Sequence, residues 1–329
     1  MMKVRVLRWS RRYALPLLLI ILTNQAWASS LPSWHQGTNK TNIISFVQKV
    51  TAKNSKYYVP IDKRVAVFDL DGTLVSEQPV SAELSFAVSH VNEKTTYLPL
   101  PVKNKLLSSC HNINVKSCRD YISNHYYPII LSAHSGLTES FFKKEVTDWL
   151  QTSKNPETSR PYLGSAYQPM KEVIQYLQHH QFSIYIVTGS GTDFARLYAK
   201  QLFGLKPSHV IGGQYRKQLE TRDGTTHLVY QNKMLRVNGG DNKVLNINSH
   251  IGIRPIIAFG NSDDDMSMLQ WTEGGAGPHL SVLIHHTDKA REWQYDKNSD
   301  VGQLDKGLSY GPEHHWVIVD MKKDWNKVY

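Results

Sequence analysis

The chain predicts an α/β fold, a doubly wound parallel sheet carrying an inserted, mainly helical cap. Three observations lead there. Four short apolar runs alternate with amphipathic helical segments, a pattern that builds a parallel sheet with helices on both faces. The first two runs stand much further apart than one crossover helix requires, so residues 77–165 form an inserted cap domain. The 329 residues are 40% apolar and 20% charged, ordinary globular usage that excludes disorder, collagen and coiled coil.

Residues 1–28 read as an export signal. Lys3, Arg5, Arg8, Arg11 and Arg12 precede a nine-residue apolar run over 14–22, and Ala26-Trp27-Ala28 offers a small-x-small cleavage pattern before Ser29. Nine apolar residues interrupted by Pro16 are short for a membrane span, so no stable span is expected after cleavage. Without this segment the formal charge falls from +10 to +5, with 33 basic against 28 acidic residues, which is no nucleic-acid footprint. The expected location is periplasmic or secreted. In an oxidising compartment, Cys110 and Cys118 suit a local disulfide worth roughly 2–3 kcal/mol.

Residues 29–61 form an N-terminal helical segment, with Ile43, Phe46, Val47 and Val50 at helical spacing over 40–53. The core comprises 62–76 and 166–329. Its first strand, 64–68, is a nearly continuous apolar run suited to burial on both faces. Met170, Val173, Ile174 and Leu177 mark a helix that feeds a strand over 182–187, and a helix over 192–203 follows. Residues 255–259 and 280–284 are two further core strands. Helical pieces fall near 79–91 and 138–151 in the insert. Residues 212–240 read as a β-rich excursion that turns at Asp223-Gly224, and 316–320 as an edge strand.

Ligands of open parallel sheets bind beyond the carboxyl ends of the strands, and three of the four strands end in polar residues suited to one task. The first ends in Asp69-Leu70-Asp71-Gly72-Thr73. Its two carboxylates point into one crevice, and Asp69, desolvated at a strand end, needs a partner. The second ends in Thr188-Gly189-Ser190-Gly191-Thr192-Asp193, small residues whose free amides at a helix N-terminus suit a phosphate. Strand 255–259 runs into Gly260-Asn261-Ser262-Asp263-Asp264-Asp265, where successive carboxylates need a cation or a basic partner. Hard oxygen ligands from two strand ends describe a Mg²⁺ site.

These motifs, in this order, resemble those of the haloacid dehalogenase superfamily of phosphohydrolases: Asp-x-Asp-x-Thr at Asp69, Asp71 and Thr73, a strand-ending Thr188, an upstream Lys243 and the acidic loop at 260–265. The resemblance covers roughly residues 62–290 and implies a Rossmann-like core with a substrate-selecting cap. It implies Asp69 as nucleophile and Asp71 as general acid and base. Thr73, Thr188, Gly189, Ser190 and Lys243 would bind substrate phosphate, and Asp69, Asp71, Asn261 and Asp265 would hold Mg²⁺. Spacing and the preceding glycines favour Lys243 over Lys233. The family usually has Asp where Asn261 stands; an amide oxygen still ligates Mg²⁺ but brings no charge. Within the superfamily the chain looks most like exported acid phosphatases and phosphoserine-phosphatase-like members.

The expected activity is an exported Mg²⁺-dependent phosphomonoesterase acting on a small-molecule phosphate ester. Asn261 also motivates a second class, a catalytically silent phosphate-ligand binding protein, and a phosphoryl-transferring mutase is a third. The neighbouring pairs His179-His180, His285-His286 and His314-His315 cannot face one way and read as surface. Tyr97, Tyr121, Tyr126, Tyr127 and Trp149 suit either a pocket lining, such as an aromatic cage for a quaternary ammonium, or core packing.

Overall fold

The computed structural model describes residues 30–92, 95–110 and 115–329, so the export signal lies outside the described residues. Its strands, in chain order, are β1 (Val65–Phe68), β2 (Ser183–Gly191), β3 (Val210–Arg222), β4 (Thr225–Arg236), β5 (Ile257–Gly260), β6 (Leu280–Thr287), β7 (Gln294–Tyr295) and β8 (Val317–Asp320). They pair in the order β4-β3-β2-β1-β5-β6-β7, with β8 also on β6. β3, β2, β1, β5, β6 and β8 run parallel, while β4 and β7 are antiparallel additions. The chain therefore winds from β1 outward through β2 and β3, then returns to the other side of β1 for β5, β6 and β8. That reversal places the switch point, the usual ligand crevice of such sheets, between β1 and β5.

All four residues of β1 are buried, because successive side chains enter opposite cores. Ala66 and Phe68 join Ile184, Ile186, Ile257, Phe259, Val282 and Ile284 on one face, where Phe68 and Phe259 stack at 4.4 Å. Val65 and Val67 join Val187, Ala258 and Leu283 on the other. Helices Thr38–Thr51, Gln168–His179 and Thr192–Phe203 cover the first face, and Asp241–Ile251 and Met266–Glu273 cover the second. The doubly wound expectation holds.

Between β1 and β2 lie the helices Ala82–Ser89, Leu100–Ser109, Lys116–Asn124, Tyr126–Ser132 and Glu139–Thr152. Ser81 and Thr138 start two of them by accepting backbone N–H groups with their hydroxyls. Cys110 and Cys118 are bonded, with Cα atoms 5.3 Å apart. The excursion after Ile211 is the β3–β4 hairpin, turning at Asp223-Gly224 as its sequence predicts, although β3 first runs beside β2 in the parallel sheet. Among the described residues, no helix is long and apolar enough to cross a membrane.

Candidate active site

Asp69 leaves β1 with its amide donating to the Phe259 carbonyl at 2.9 Å, which pins the strand end to β5. The chain then turns tightly: the Gly72 amide donates to Val75 and the Leu74 amide to Leu70, both at 2.8 Å. Gly72 sits at φ +78°, and a Cβ there would collide with the Asn261 amide and the Glu77 carboxylate, so the turn requires glycine.

The turn brings Asp69 to Lys243, in the first turn of helix Asp241–Ile251. Lys243 Nζ donates to Asp69 at 2.8 Å and to Asp265 at 2.6 Å, all three side chains being buried. Burial pulls the ammonium down, but Asp265 and Asp69 outweigh it and hold the lysine above its ordinary range. Burial raises Asp69, and the Lys243 ammonium opposes that rise. Lys233, the rival candidate, is exposed on β4. Asp71 accepts from Ser190 Oγ at 2.8 Å and, more distantly, from Thr188 Oγ1 at 3.5 Å. Burial raises its carboxyl above the usual range against those bonds.

β2 extends through Gly191, so Thr188, Gly189 and Ser190 lie on a strand with an irregular register, and the helix starts only at Thr192. Gly189 is exposed and open on its side-chain face. Ser190 and Thr188 instead turn inward to Asp71. Thr73 donates to Asn261 Oδ1 at 3.0 Å. The structure thus draws Asp69, Asp71, Lys243, Thr188, Ser190, Thr73 and Asn261 to the carboxyl ends of β1, β2 and β5.

Asp265, one of the expected metal ligands, has both carboxylate oxygens in hydrogen bonds. Its Oδ1 takes Lys243, and its Oδ2 takes the amides of Asn261 at 3.0 Å and Ser262 at 3.1 Å and the Ser262 hydroxyl at 3.2 Å. With both oxygens engaged, it organises the loop and fixes the lysine. Among the described residues, no three His, Cys, Asp or Glu side chains form a ready cage for a metal. Oxygens of one hard type lie together at this site: the Asp69 carboxylate, the Asp71 main-chain carbonyl and Asn261 Oδ1, which accepts from Thr73. An all-oxygen, partly backbone set fits Mg²⁺, which keeps several of its waters and needs few protein ligands.

Four buried neighbours of these residues escaped the sequence reading. Glu77, buried, accepts from Asn261 Nδ2 at 2.8 Å and from Tyr295 OH at 2.7 Å. It thereby returns a carboxyl group to contact with the residue that lacks one. Glu83 accepts from the Gly191 amide at 2.7 Å and from Tyr215 OH at 2.9 Å. His286 corrects the surface reading of the histidine pairs: it is 1% exposed and lies 2.7 Å from the Gly72 carbonyl. Behind it stands the buried Glu292. Strand-end position signalled a site in the sequence; Glu77, Glu83 and Glu292 lack it, and His286, just past the run 280–284, belongs to an adjacent pair that reads as surface. Of the ring candidates, Trp149 packs against Phe86 and Tyr162, while Tyr126 reaches Glu83 at 3.4 Å.

This fold and site have a family. The model of the haloacid dehalogenase-like hydrolases matches residues 66–270, more than half of the chain, and the protein belongs to that family. No curated protein matches the chain. Similar solved structures include a conserved protein of unknown function from Anaerococcus prevotii DSM 20548, 16% identical, covering 75% of this chain and 85% of that one at a TM-score of 0.46. Another is a protein of unknown function from Bordetella pertussis Tohama I, 15% identical, covering 79% and 99% at 0.45. A third is a phosphoserine phosphohydrolase-like protein from Francisella tularensis subsp. tularensis SCHU S4, 16% identical, covering 79% and 95% at 0.42. At such identities and scores, nothing about activity follows from these structures.

Proposed function

We propose that this hydrolase is an exported phosphomonoesterase that works with Mg²⁺ through an aspartyl-phosphate on a small phosphate ester. One observation carries the reading: Asp69 paired with Lys243 at 2.8 Å stands beside an Asp71 that Ser190 holds at 2.8 Å, at neighbouring strand ends. Asp69 attacks phosphorus, the bond from phosphorus to the leaving oxygen breaks, and Asp71 gives that oxygen its proton. Asp71 then takes a proton from the water that attacks the phosphorus of the intermediate, and Asp69 is released. The raised Asp71 carboxyl suits an acid that must hold a proton before it gives one up.

Lys243, Thr188 and the Gly189 amide face the phosphoryl oxygens and offset their charge. Asp69, the Asp71 carbonyl and Asn261 would hold Mg²⁺, which would supply further positive charge against those oxygens. Residues 77–165 act as the cap that selects the leaving group, supported by the contact of Glu83 in the insert with the Gly191 amide of β2. Export rests on the signal pattern of residues 1–28, and the Cys110–Cys118 bond agrees with an oxidising compartment.

The test is phosphate release from an aryl phosphate with Mg²⁺, with a chelator, and by Asp69→Asn. Release falls to background in the last two; a variant that still turns over would sink the mechanism. Tight phosphate binding without release under any divalent metal would favour the silent binding protein that Asn261 motivates.

A further inference from the structure

We infer that the segment from His286 to Tyr295 braces the catalytic loop and that His286 is its positioning residue. This segment lies beyond the residues 66–270 that the family model matches. The kinetic part of the inference rests on the reading of Asp69 and Asp71 as the reacting carboxylates; the structural part does not.

His286 Nε2 lies 2.7 Å from the carbonyl of Gly72, the residue between Asp71 and Thr73. A carbonyl only accepts, so Nε2 carries the hydrogen. The other ring nitrogen faces Glu292 Oε2 at 3.2 Å, which fixes the orientation of the imidazole. Glu292 is itself held by the Tyr167 hydroxyl at 2.9 Å, the Ser76 hydroxyl at 3.0 Å and the Trp293 amide at 2.6 Å. Tyr295 stacks on the imidazole at 4.2 Å, and its hydroxyl donates to Glu77 at 2.7 Å. One short segment therefore grips the loop at Gly72, Ser76 and Glu77.

The grip matters because Gly72 has no side chain with which to fix its own peptide. That carbonyl belongs to the Gly72–Thr73 peptide, whose rotation moves Thr73 and loosens the turn that carries Asp71. An error of about 1 Å in the placement of a reacting group costs on the order of a hundredfold in rate. The bond from His286 therefore acts on turnover more than on substrate affinity.

The experiment uses the full chain and three variants. His286→Phe keeps the ring stack and loses the donor, His286→Gln keeps an N–H donor, and Glu292→Gln loosens the imidazole. Steady-state phosphate release gives kcat and KM, and hydrogen exchange read by mass spectrometry follows the amides of residues 70–77. His286→Phe should lower kcat at least about tenfold, leave KM within about twofold and speed exchange at 70–77, while His286→Gln should recover most of the rate. A folded His286→Phe with unchanged kcat and unchanged exchange overturns the brace. If His286→Phe does not fold, Glu292→Gln must show the faster exchange and His286→Gln must not; equal behaviour overturns it as well. Should the natural chain release no phosphate, the phosphatase reading fails, and the exchange measurement alone decides the brace.

Discussion

Glu83 sits 108 residues from the Gly191 amide it accepts, and that contact seals the inner side of β2 behind Ser190. Burial pushes its carboxyl up to about 7, against the opposing bonds from Gly191 and Tyr215. The folded value lies above the ordinary 4.5, so the native state binds this proton more tightly than the unfolded chain. Its contribution to stability is full below about pH 4.5 and fades as pH rises through about 7. Glu83→Gln keeps the shape and removes the ionisation, so its stability should vary less than the natural protein's between pH 5 and 8. Denaturant midpoints across that range check this, and an unchanged slope would mean that the carboxyl does not titrate there. Asp69, Asp71 and Thr188 were legible in the sequence because polar residues directly after a buried strand have one use, and Lys243 through the motif order of the family it resembles. His286 was not, because an adjacent histidine pair reads as surface and its partner Gly72 lies 214 residues away.

The β3–β4 hairpin was legible at its turn, where Asp223-Gly224 supplies two residues at positive φ, but not in its packing. It is tied to the insert by two backbone bonds, from the Gly136 amide to Tyr230 at 2.8 Å and from the Tyr230 amide to Leu137 at 3.0 Å. His134 fills the joint, edge-on to Tyr215 at 4.1 Å and to Tyr230 at 5.0 Å. Burial pushes this imidazole down to about 4. A folded value below the ordinary 6.5 means that the native state prefers the neutral ring. That stability is present above about pH 6.5 and is lost as pH falls through about 4, opposite in sign to Glu83. Among the described residues its Nε2 has no hydrogen-bond partner, so His134→Phe removes the titration without stranding a group at that end of the ring. The variant should lose less stability than the natural protein on acidification from pH 6.5 to 4. Thermal unfolding across that range measures it, and an equal loss would place the acid sensitivity elsewhere.

At the scale of the whole molecule, alternating apolar runs made the two cores legible, while the element that closes one of them was not. Residues 33–35 and 324–328 meet, with the His35 amide donating to Asp324 at 2.7 Å and the Asn326 amide to Ser33 at 3.0 Å. Both then bind the helix Gln168–His179: Ser33 donates to Glu172 at 2.6 Å, Trp34 Nε1 to the Pro169 carbonyl at 3.1 Å, and the Gln168 amide to Val328 at 2.7 Å. No periodicity announces such a clasp, because its halves are short, irregular and separated by nearly the whole described chain. At its centre Trp325, fully buried, packs edge-on against Trp34 at 5.8 Å and at a tilt against Tyr167 at 5.4 Å. Trp325→Ala leaves a cavity that costs about 3–5 kcal/mol. Domains of this kind hold only about 5–15 kcal/mol in total, so the loss is a large share of it. The helix it anchors leads directly into β2, which carries Thr188 and Ser190, so loosening the clasp weakens the sheet at the strand that faces Asp71. In guanidinium the variant should unfold at a clearly lower midpoint with an unchanged slope, the signature of lost stability without a change in the surface exposed. A midpoint equal to that of the natural protein would mean that the clasp lies on the sheet without supporting it.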